Sequence, residues 1–81
     1  MTHRVEFHAA ALAQLNGLPT EAFDALVARV AELVAAPWDA WIMQPGDPNF
    51  RQTTFHRFGL LSFYLDEGEK LIRIFDVTWV G

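Results

Sequence analysis

Apolar residues in the first half of the chain recur with the spacing of an amphipathic helix. They fall at positions i, i+3, i+4, i+7, i+10 and i+11, namely at Phe23, Leu26, Val27, Val30, Leu33 and Val34. This spacing predicts a helix with one apolar face, which starts after an N-cap at Thr20 and stops before Pro37. The alanine-rich run at residues 9–15 predicts a shorter helix that Gly17 ends as a left-handed cap. Because few residues separate the two helices, they predict an antiparallel helical hairpin.

Strand-like patterns lie on both sides of this hairpin. Residues 4–8 alternate between polar and apolar side chains, which predicts a short strand with Val5 and Phe7 facing inward. After a proline-rich segment at residues 37–49, which we predict to be a loop, three more strands are expected at residues 50–55, 60–65 and 70–80. The prediction is a single α+β domain over residues 1–81 in the order β-α-α-β-β-β. Its helical hairpin is expected to pack on one face of a small, mainly antiparallel sheet.

The last predicted strand carries apolar residues on both of its faces. One parity carries Ile72 and Ile74, and the other carries Phe75, Val77 and Trp79. Such a strand is typical of the centre of a sheet, covered on both sides. Since two helices cover only one face, the other face must meet loop residues, a partner or a second chain. We predict that Phe75, Val77 and Trp79 bind a partner protein, because aromatic surface is typical of interfaces.

Composition supports a partner and narrows the class of function. Hydrophobic residues make up 52% of the chain and charged residues only 20%, which is more apolar material than one small core needs. We expect Trp38 and Trp41 to close one end of that core. The net charge of −4 disfavours an extended nucleic-acid interface, although it leaves room for a small cationic pocket.

The same residue counts bear on metals and on cellular location. The chain has no cysteine, and its three histidines are scattered, so neither disulfides nor a metal site nor any cofactor is expected. Residues 1–6 lack the apolar segment of a signal peptide, and no apolar run reaches the length of a membrane span. We therefore expect a soluble cytoplasmic protein with no membrane contact.

Several short motifs lie along nearly the whole chain. They are Val5-Glu6-Phe7 before an alanine-rich helix, the Leu-Pro break at residues 15–19, a helix ending before Pro37, Arg51 opening the first meander strand, a glycine turn, a strand ending in Tyr64, and the final segment 77–81. Together these motifs resemble the RelE/ParE toxins of bacterial type II toxin–antitoxin modules. RelE-like members are metal-independent ribonucleases that cut messenger RNA on the ribosome, and ParE-like members inhibit DNA gyrase. Both kinds are neutralised by an antitoxin segment that wraps around the toxin.

The resemblance implies a toxin that forms a hetero-oligomer with its cognate antitoxin. Under the first hypothesis it inhibits translation as an endoribonuclease, with the ribosome and messenger RNA as further partners. Under the alternative, it acts by protein binding alone, on gyrase or only on its antitoxin. Two features favour the alternative. Lys70 is the only lysine, and Gly81 stands where the ribonuclease members continue into a short basic tail with an aromatic residue.

The candidate catalytic residues are Arg51, His56, Arg57 and Arg73. The resemblance matches Arg51 to the family arginine at the start of the first meander strand, where it either clamps a phosphate or forms a structural ion pair. The resemblance also matches Ser62 to a second family arginine, so Arg57 either replaces that charge or is a solvated turn residue.

Arg73 and His56 complete the candidate set, and each has an alternative role. Arg73 lies among apolar neighbours and needs a counter-charge, which is a phosphate, an acidic group of the antitoxin, or Asp66 or Glu67. His56 suits acid–base catalysis because its ordinary pKa is near neutrality, although turn histidines are often only solvated. Tyr64 is either a general acid or a cross-strand packing residue.

Overall fold

The protein forms a five-stranded sheet with two helices, seen in a computed structural model that describes residues 3–81. The elements in chain order are β1 (Arg4–Phe7), α1 (Ala9–Gln14), a 3₁₀ turn (Leu15–Gly17), α2 (Thr20–Ala35), β2 (Trp41–Gln44), β3 (Asp47–Phe55), β4 (Gly59–Asp66) and β5 (Leu71–Trp79). The predicted α+β class and the helical hairpin are confirmed. The segment predicted to be a loop contains the additional strand β2. No helix among the described residues is long and apolar enough to cross a membrane.

The strands lie in the order β1-β5-β4-β3-β2. Strands β2 to β5 follow one another as an antiparallel meander, because the turns between them are short. Strand β1 pairs with β5 in parallel, and Glu6 lies beside Arg73 in that register. The last strand of the chain therefore lies between β1 and β4, which confirms its predicted central position.

The core lies between the helices and one face of the sheet. Its buried members are Ala11, Ala22, Leu26, Leu33, Phe55, Leu61, Phe63, Leu65, Ile72, Ile74 and Val77. Helix α2 turns Leu26 and Leu33 inward as predicted, but Phe23 and Val27 of the same stripe remain 40% and 51% exposed. Helix α1 has only six residues, so it is too short to cover the whole apolar face of α2.

Two predicted helix caps differ from the structure. Thr20 is the first residue of α2 rather than its N-cap; Pro19 holds the cap position, and no side chain bonds to the free amides. Gly17 has no positive φ, and the chain leaves the 3₁₀ turn through Leu18, which is extended at φ −85° and ψ 135°. The reason is Pro19, since a residue that precedes proline is driven out of the helical region.

The additional strand β2 forms a hairpin with β3. Trp41 pairs with Gln52, Ile42 with Arg51, and Gln44 with Asp47, across a tight connection at residues 45–46. All four residues of β2 are exposed. A half-buried strand is predicted from apolar residues that alternate with polar ones, and the run Trp41-Ile42-Met43-Gln44 has no such alternation. The expectation that Trp38 and Trp41 close the core is wrong, because nearly half of each side chain is exposed.

A β-bulge in β5 reorients the end of that strand. Ser62 pairs with Asp76 and the next residue, Phe63, pairs with Ile74, so Phe75 is an extra residue without a partner in β4. An extra residue breaks the alternation of side chains. Val77 consequently lies in the core with Ile74, and the expectation that Phe75 and Val77 share one face is wrong.

Candidate functional site

Three aromatic rings meet on the open face of the sheet, which is the face opposite the helices. Phe50 of β3 lies directly across from Tyr64 of β4, and their ring centroids are 4.8 Å apart at an interplanar angle of 61°. The bulge brings Phe75 to the same place, 5.8 Å from Phe50 at an angle of 80°. Edge-to-face contacts of this kind are favourable beyond the apolar area that they bury.

A cavity of about 480 Å³ lies at this cluster. It is lined by His8, Asp47, Phe50, Tyr64, Arg73 and Phe75. We call it the open-face cavity. Its volume falls within the range of small-ligand sites, and its walls combine apolar rings with a few polar groups, as such sites do. The cavity is therefore the candidate functional site.

Arg73 lies in the wall of the open-face cavity with two carboxylates bound to it. Its Nη1 donates to Glu6 Oε1 at 3.0 Å, and its Nη2 lies 3.6 Å from Asp66 Oδ2. One of the predicted counter-charges, Asp66, is thus present in the chain itself. Asp47 also lines the cavity, so Arg73, its two bound carboxylates and Asp47 together carry a negative formal charge.

Arg51 projects away from this cavity and binds backbone oxygens. Its Nε donates to Pro48 O at 2.7 Å, and its Nη1 donates to Ala40 O at 2.9 Å. The guanidinium also lies 4.8 Å from the ring centroid of Trp38. These contacts join β3 to the segment before β2. They are neither a phosphate contact nor an ion pair, which are the two roles predicted for Arg51. The catalytic role of Arg51 stays a prediction that these contacts do not support.

The other two predicted catalytic residues lie in the β3–β4 turn, outside the cavity. His56 and Arg57 are both exposed, and His56 adopts a φ of 56°. The ring centroid of His56 lies 5.3 Å from that of Trp79. The four predicted catalytic residues are therefore separated in the fold. Of the four, only Arg73 lines the open-face cavity.

The predicted partner-binding residues are also separated. Phe75 lines the open-face cavity, whereas Val77 is 3% exposed and lies in the core. Trp79 packs against the core at the opposite end of the sheet, stacked 6.3 Å from Phe55 and edge-on to Phe58 at 6.0 Å. Of the three predicted partner-binding residues, only Phe75 and the exposed part of Trp79 are accessible to a partner.

Sequence reasoning missed three of the residues that line the cavity. The sequence assigned no role to His8, Asp47 or Phe50. Residues directly opposite on neighbouring strands share a face, but the predicted strands 50–55 and 60–65 pair Phe50 with Leu65, whereas the observed register pairs it with Tyr64. No local pattern places His8 or Asp47, which lie just after β1 and at the start of β3.

An ion-pair cluster lies beside Asp66, at the β4–β5 turn. Glu67 contacts His3 Nε2 at 3.2 Å and Lys70 Nζ at 3.3 Å. Desolvation acts to raise the pKa of Glu67, but the hydrogen bonds and positive charges of His3 and Lys70 outweigh it and hold that pKa below its ordinary value. The cluster ties the start of the described chain to the turn. In the described part of the chain, no three metal-ligating side chains lie together.

Comparison with known proteins gives structural matches only. No protein-family model matches the chain, and no curated protein matches it. The free E. coli RelE toxin carrying two arginine-to-alanine substitutions matches at a TM-score of 0.84 and 15% identity, over 98% of this chain and 84% of that one. The RelBE2 toxin–antitoxin complex of Mycobacterium tuberculosis matches at 0.85 and 17%, over 99% and 100%. The archaeal RelE–RelB complex of Pyrococcus horikoshii matches at 0.74 and 18%, over 100% and 98%.

These matches confirm the predicted resemblance at the level of the fold. The chain has the RelE fold over essentially its whole described length, with the same order of strands and helices. Identities of 15–18% carry no residue-by-residue assignment of activity.

Proposed function

We propose that this chain is the toxin component of a type II toxin–antitoxin module. We propose further that the open-face cavity is the surface through which it binds its partners. The observation that carries the proposal is the match to RelE structures at TM-scores of 0.74–0.85, two of which are complexes with an antitoxin. A cognate antitoxin is then the partner in a hetero-oligomer. The aromatic lining of the cavity supports placing the contact on this face, since such residues dominate protein interfaces.

The charges around the cavity favour protein binding over RNA cleavage as the mode of action. Cleavage without a metal must stabilise extra negative charge on a phosphorane, which requires cations aimed at the phosphate. Among the described residues that line the cavity, Arg73 is the only one with a guanidinium, and it is bound to Glu6 and Asp66. Asp47 adds a third negative charge, and the chain as a whole carries −4. An anionic site on an anionic protein does not attract RNA.

RNA cleavage is the second candidate, and one arrangement favours it. Tyr64 and Arg73 lie directly opposite on neighbouring strands, with His8 in the same wall. In this candidate His8 takes the proton of the attacking 2′-hydroxyl, Arg73 exchanges its carboxylates for the phosphate, and Tyr64 protonates the leaving oxygen. The ribosome and messenger RNA are then the further partners, and translation is inhibited.

Growth of bacteria that express the chain tests the proposal. Induction of the chain alone should arrest growth, and co-expression of the neighbouring reading frame should relieve the arrest. Normal growth after induction, with folded protein present, contradicts the toxin proposal.

Two variants separate the modes of action. Protein binding predicts that arrest survives Tyr64→Phe, which keeps the ring and removes only the hydroxyl, and that it weakens in Phe75→Leu. Loss of arrest in Tyr64→Phe, with circular dichroism unchanged, would instead select RNA cleavage. Thr54→Ser, an exposed position on β3 outside the cavity, is the matched control.

A further inference from the structure

We infer that the open-face cavity binds an arginine side chain of the partner protein. The inference rests on the proposed function and names the group that the cavity recognises. It depends on three features of the described residues: the arrangement of the rings, the unequal number of positive and negative charges, and the space between the walls.

The rings of the cavity can attract a cation. Phe50, Tyr64 and Phe75 all line it, and Phe50 makes edge contacts with both other rings, at interplanar angles of 61° and 80°. The face of an aromatic ring carries negative potential, so a cation that lies over one of these rings is attracted by it.

The carboxylates supply the remaining attraction. Asp47 lines the cavity, and its Oδ1 accepts a hydrogen bond from the backbone amide of Asn49 at 3.2 Å. That bond orients the carboxylate. Arg73 would repel a second guanidinium if its charge were free, but Glu6 and Asp66 already balance it. Among the described residues that line the cavity, Asp47 is the carboxylate for which no ion pair is found.

A guanidinium fits this combination better than an ammonium or a nucleotide. It is planar and weakly hydrated, so it stacks on rings, and it binds a carboxylate through two parallel hydrogen bonds. A nucleotide could stack on the rings, but its phosphate would meet Asp47 and an arginine already bound to two carboxylates. The cavity volume of about 480 Å³ exceeds one side chain, which leaves space for a short extended segment of the partner's backbone.

The test is a titration of the whole chain with N-acetyl-arginine amide, followed by NMR through the ring signals of Phe50, Tyr64 and Phe75. We expect a saturable shift with a Kd on the order of 1 mM, as befits a single side chain. N-acetyl-citrulline amide has nearly the same shape without the charge and should cause no saturable shift. An equal response to citrulline overturns the inference.

Three variants locate the interaction. Asp47→Asn keeps the Oδ1 acceptor for Asn49 and removes the charge, and it should weaken binding about 10-fold. Phe75→Leu keeps an apolar side chain and removes a ring, and it should weaken binding about 2- to 5-fold. Glu21→Gln, at the exposed start of α2, makes the same change in net charge as Asp47→Asn and should leave the Kd unchanged within about 2-fold.

Other outcomes refute the inference. Equal weakening by Glu21→Gln and Asp47→Asn would show that binding of the arginine probe depends only on the net charge of the protein. Tighter binding of a mixed-sequence oligoribonucleotide at the same rings would assign the cavity to RNA. If growth arrest and its relief are observed but the arginine probe does not bind, this inference fails and the proposed function stands. If the probe binds and no arrest occurs, the proposed function fails instead.

Discussion

Gly59, the first residue of β4, lies directly beneath the ring of Phe55 on the neighbouring strand. A Cβ added at Gly59 would lie 2.5 Å from the ring atom Cζ of Phe55 and 2.6 Å from both Cε atoms. These distances are far below van der Waals contact. Phe55 is buried and stacked on Trp79, so a shift of its ring would disturb that stack. Gly59→Ala should therefore force a displacement in the core at this end of the sheet.

The expected loss of stability follows from that overlap. Overpacking of a well-packed core destabilises a protein by about 1–3 kcal/mol. For a domain of this size, each kcal/mol lowers Tm by about 4–8 °C. Gly59→Ala should thus lower Tm by at least about 4 °C in a thermal melt followed by far-ultraviolet circular dichroism. Gly46→Ala is the matched control, because a Cβ at that position meets nothing within 4 Å and the backbone there has no positive φ.

A second substitution tests the cause. Phe55→Leu removes the overlapping ring, so in that background the additional effect of Gly59→Ala should be smaller than in the wild-type background. The difference between the two effects measures the coupling between the residues. A Gly59→Ala protein as stable as Gly46→Ala would refute the reasoning. So would a double variant in which the two losses simply add.

Three further predictions concern contacts that hold separate parts of the fold. Arg51→Ala should lower the free energy of unfolding by about 1–3 kcal/mol, because the carbonyls it binds lose a charged donor; urea unfolding measures this. Gln14→Ala should accelerate hydrogen exchange at the amide of Val77, which donates to Gln14 Oε1 at 2.7 Å. Glu67→Gln should destabilise the protein near neutral pH, and the difference from wild type should shrink as pH falls below the ordinary pKa of 4.5. A carboxyl whose pKa is lowered by folding stabilises the protein above its unfolded pKa, and this contribution is lost as pH falls through the folded pKa.

Each of these predictions has a control and an opposing result. Arg51→Lys keeps the charge but not the fork of donors, so it should recover only part of the lost stability, and full recovery would contradict the geometry. Unchanged exchange at Val77 in Gln14→Ala would mean that the side chain does not protect the edge of β5. A Glu67→Gln deficit that is constant from about pH 7 to about pH 3 would show that ionisation of Glu67 is not its cause.

The sequence by itself determined the fold class and most of the elements. The helical stripe ending before Pro37 and the alternating strands are signals that neighbouring residues carry, because side-chain periodicity expresses which face of an element is buried. The short motifs that resemble RelE/ParE toxins led to the fold that the structural matches confirm. The excess of apolar residues indicated a partner, which stays a proposal.

The tertiary structure alone decided which residues meet at the site. One extra residue in β5 sends Phe75 to the open face and Val77 into the core, and no local pattern indicates such a bulge. Arg51 binds the carbonyls of Pro48 in β3 and of Ala40 just before β2, and no alternation in the sequence predicts β2.

Charge around the open-face cavity depends on the same long-range pairing. Glu6 reaches Arg73 because β1 lies beside β5, although the two residues are 67 positions apart in the chain. Periodicity describes how one element divides its side chains between two faces. The choice of neighbours across a sheet depends on register and on bulges, which arise only when distant segments pair.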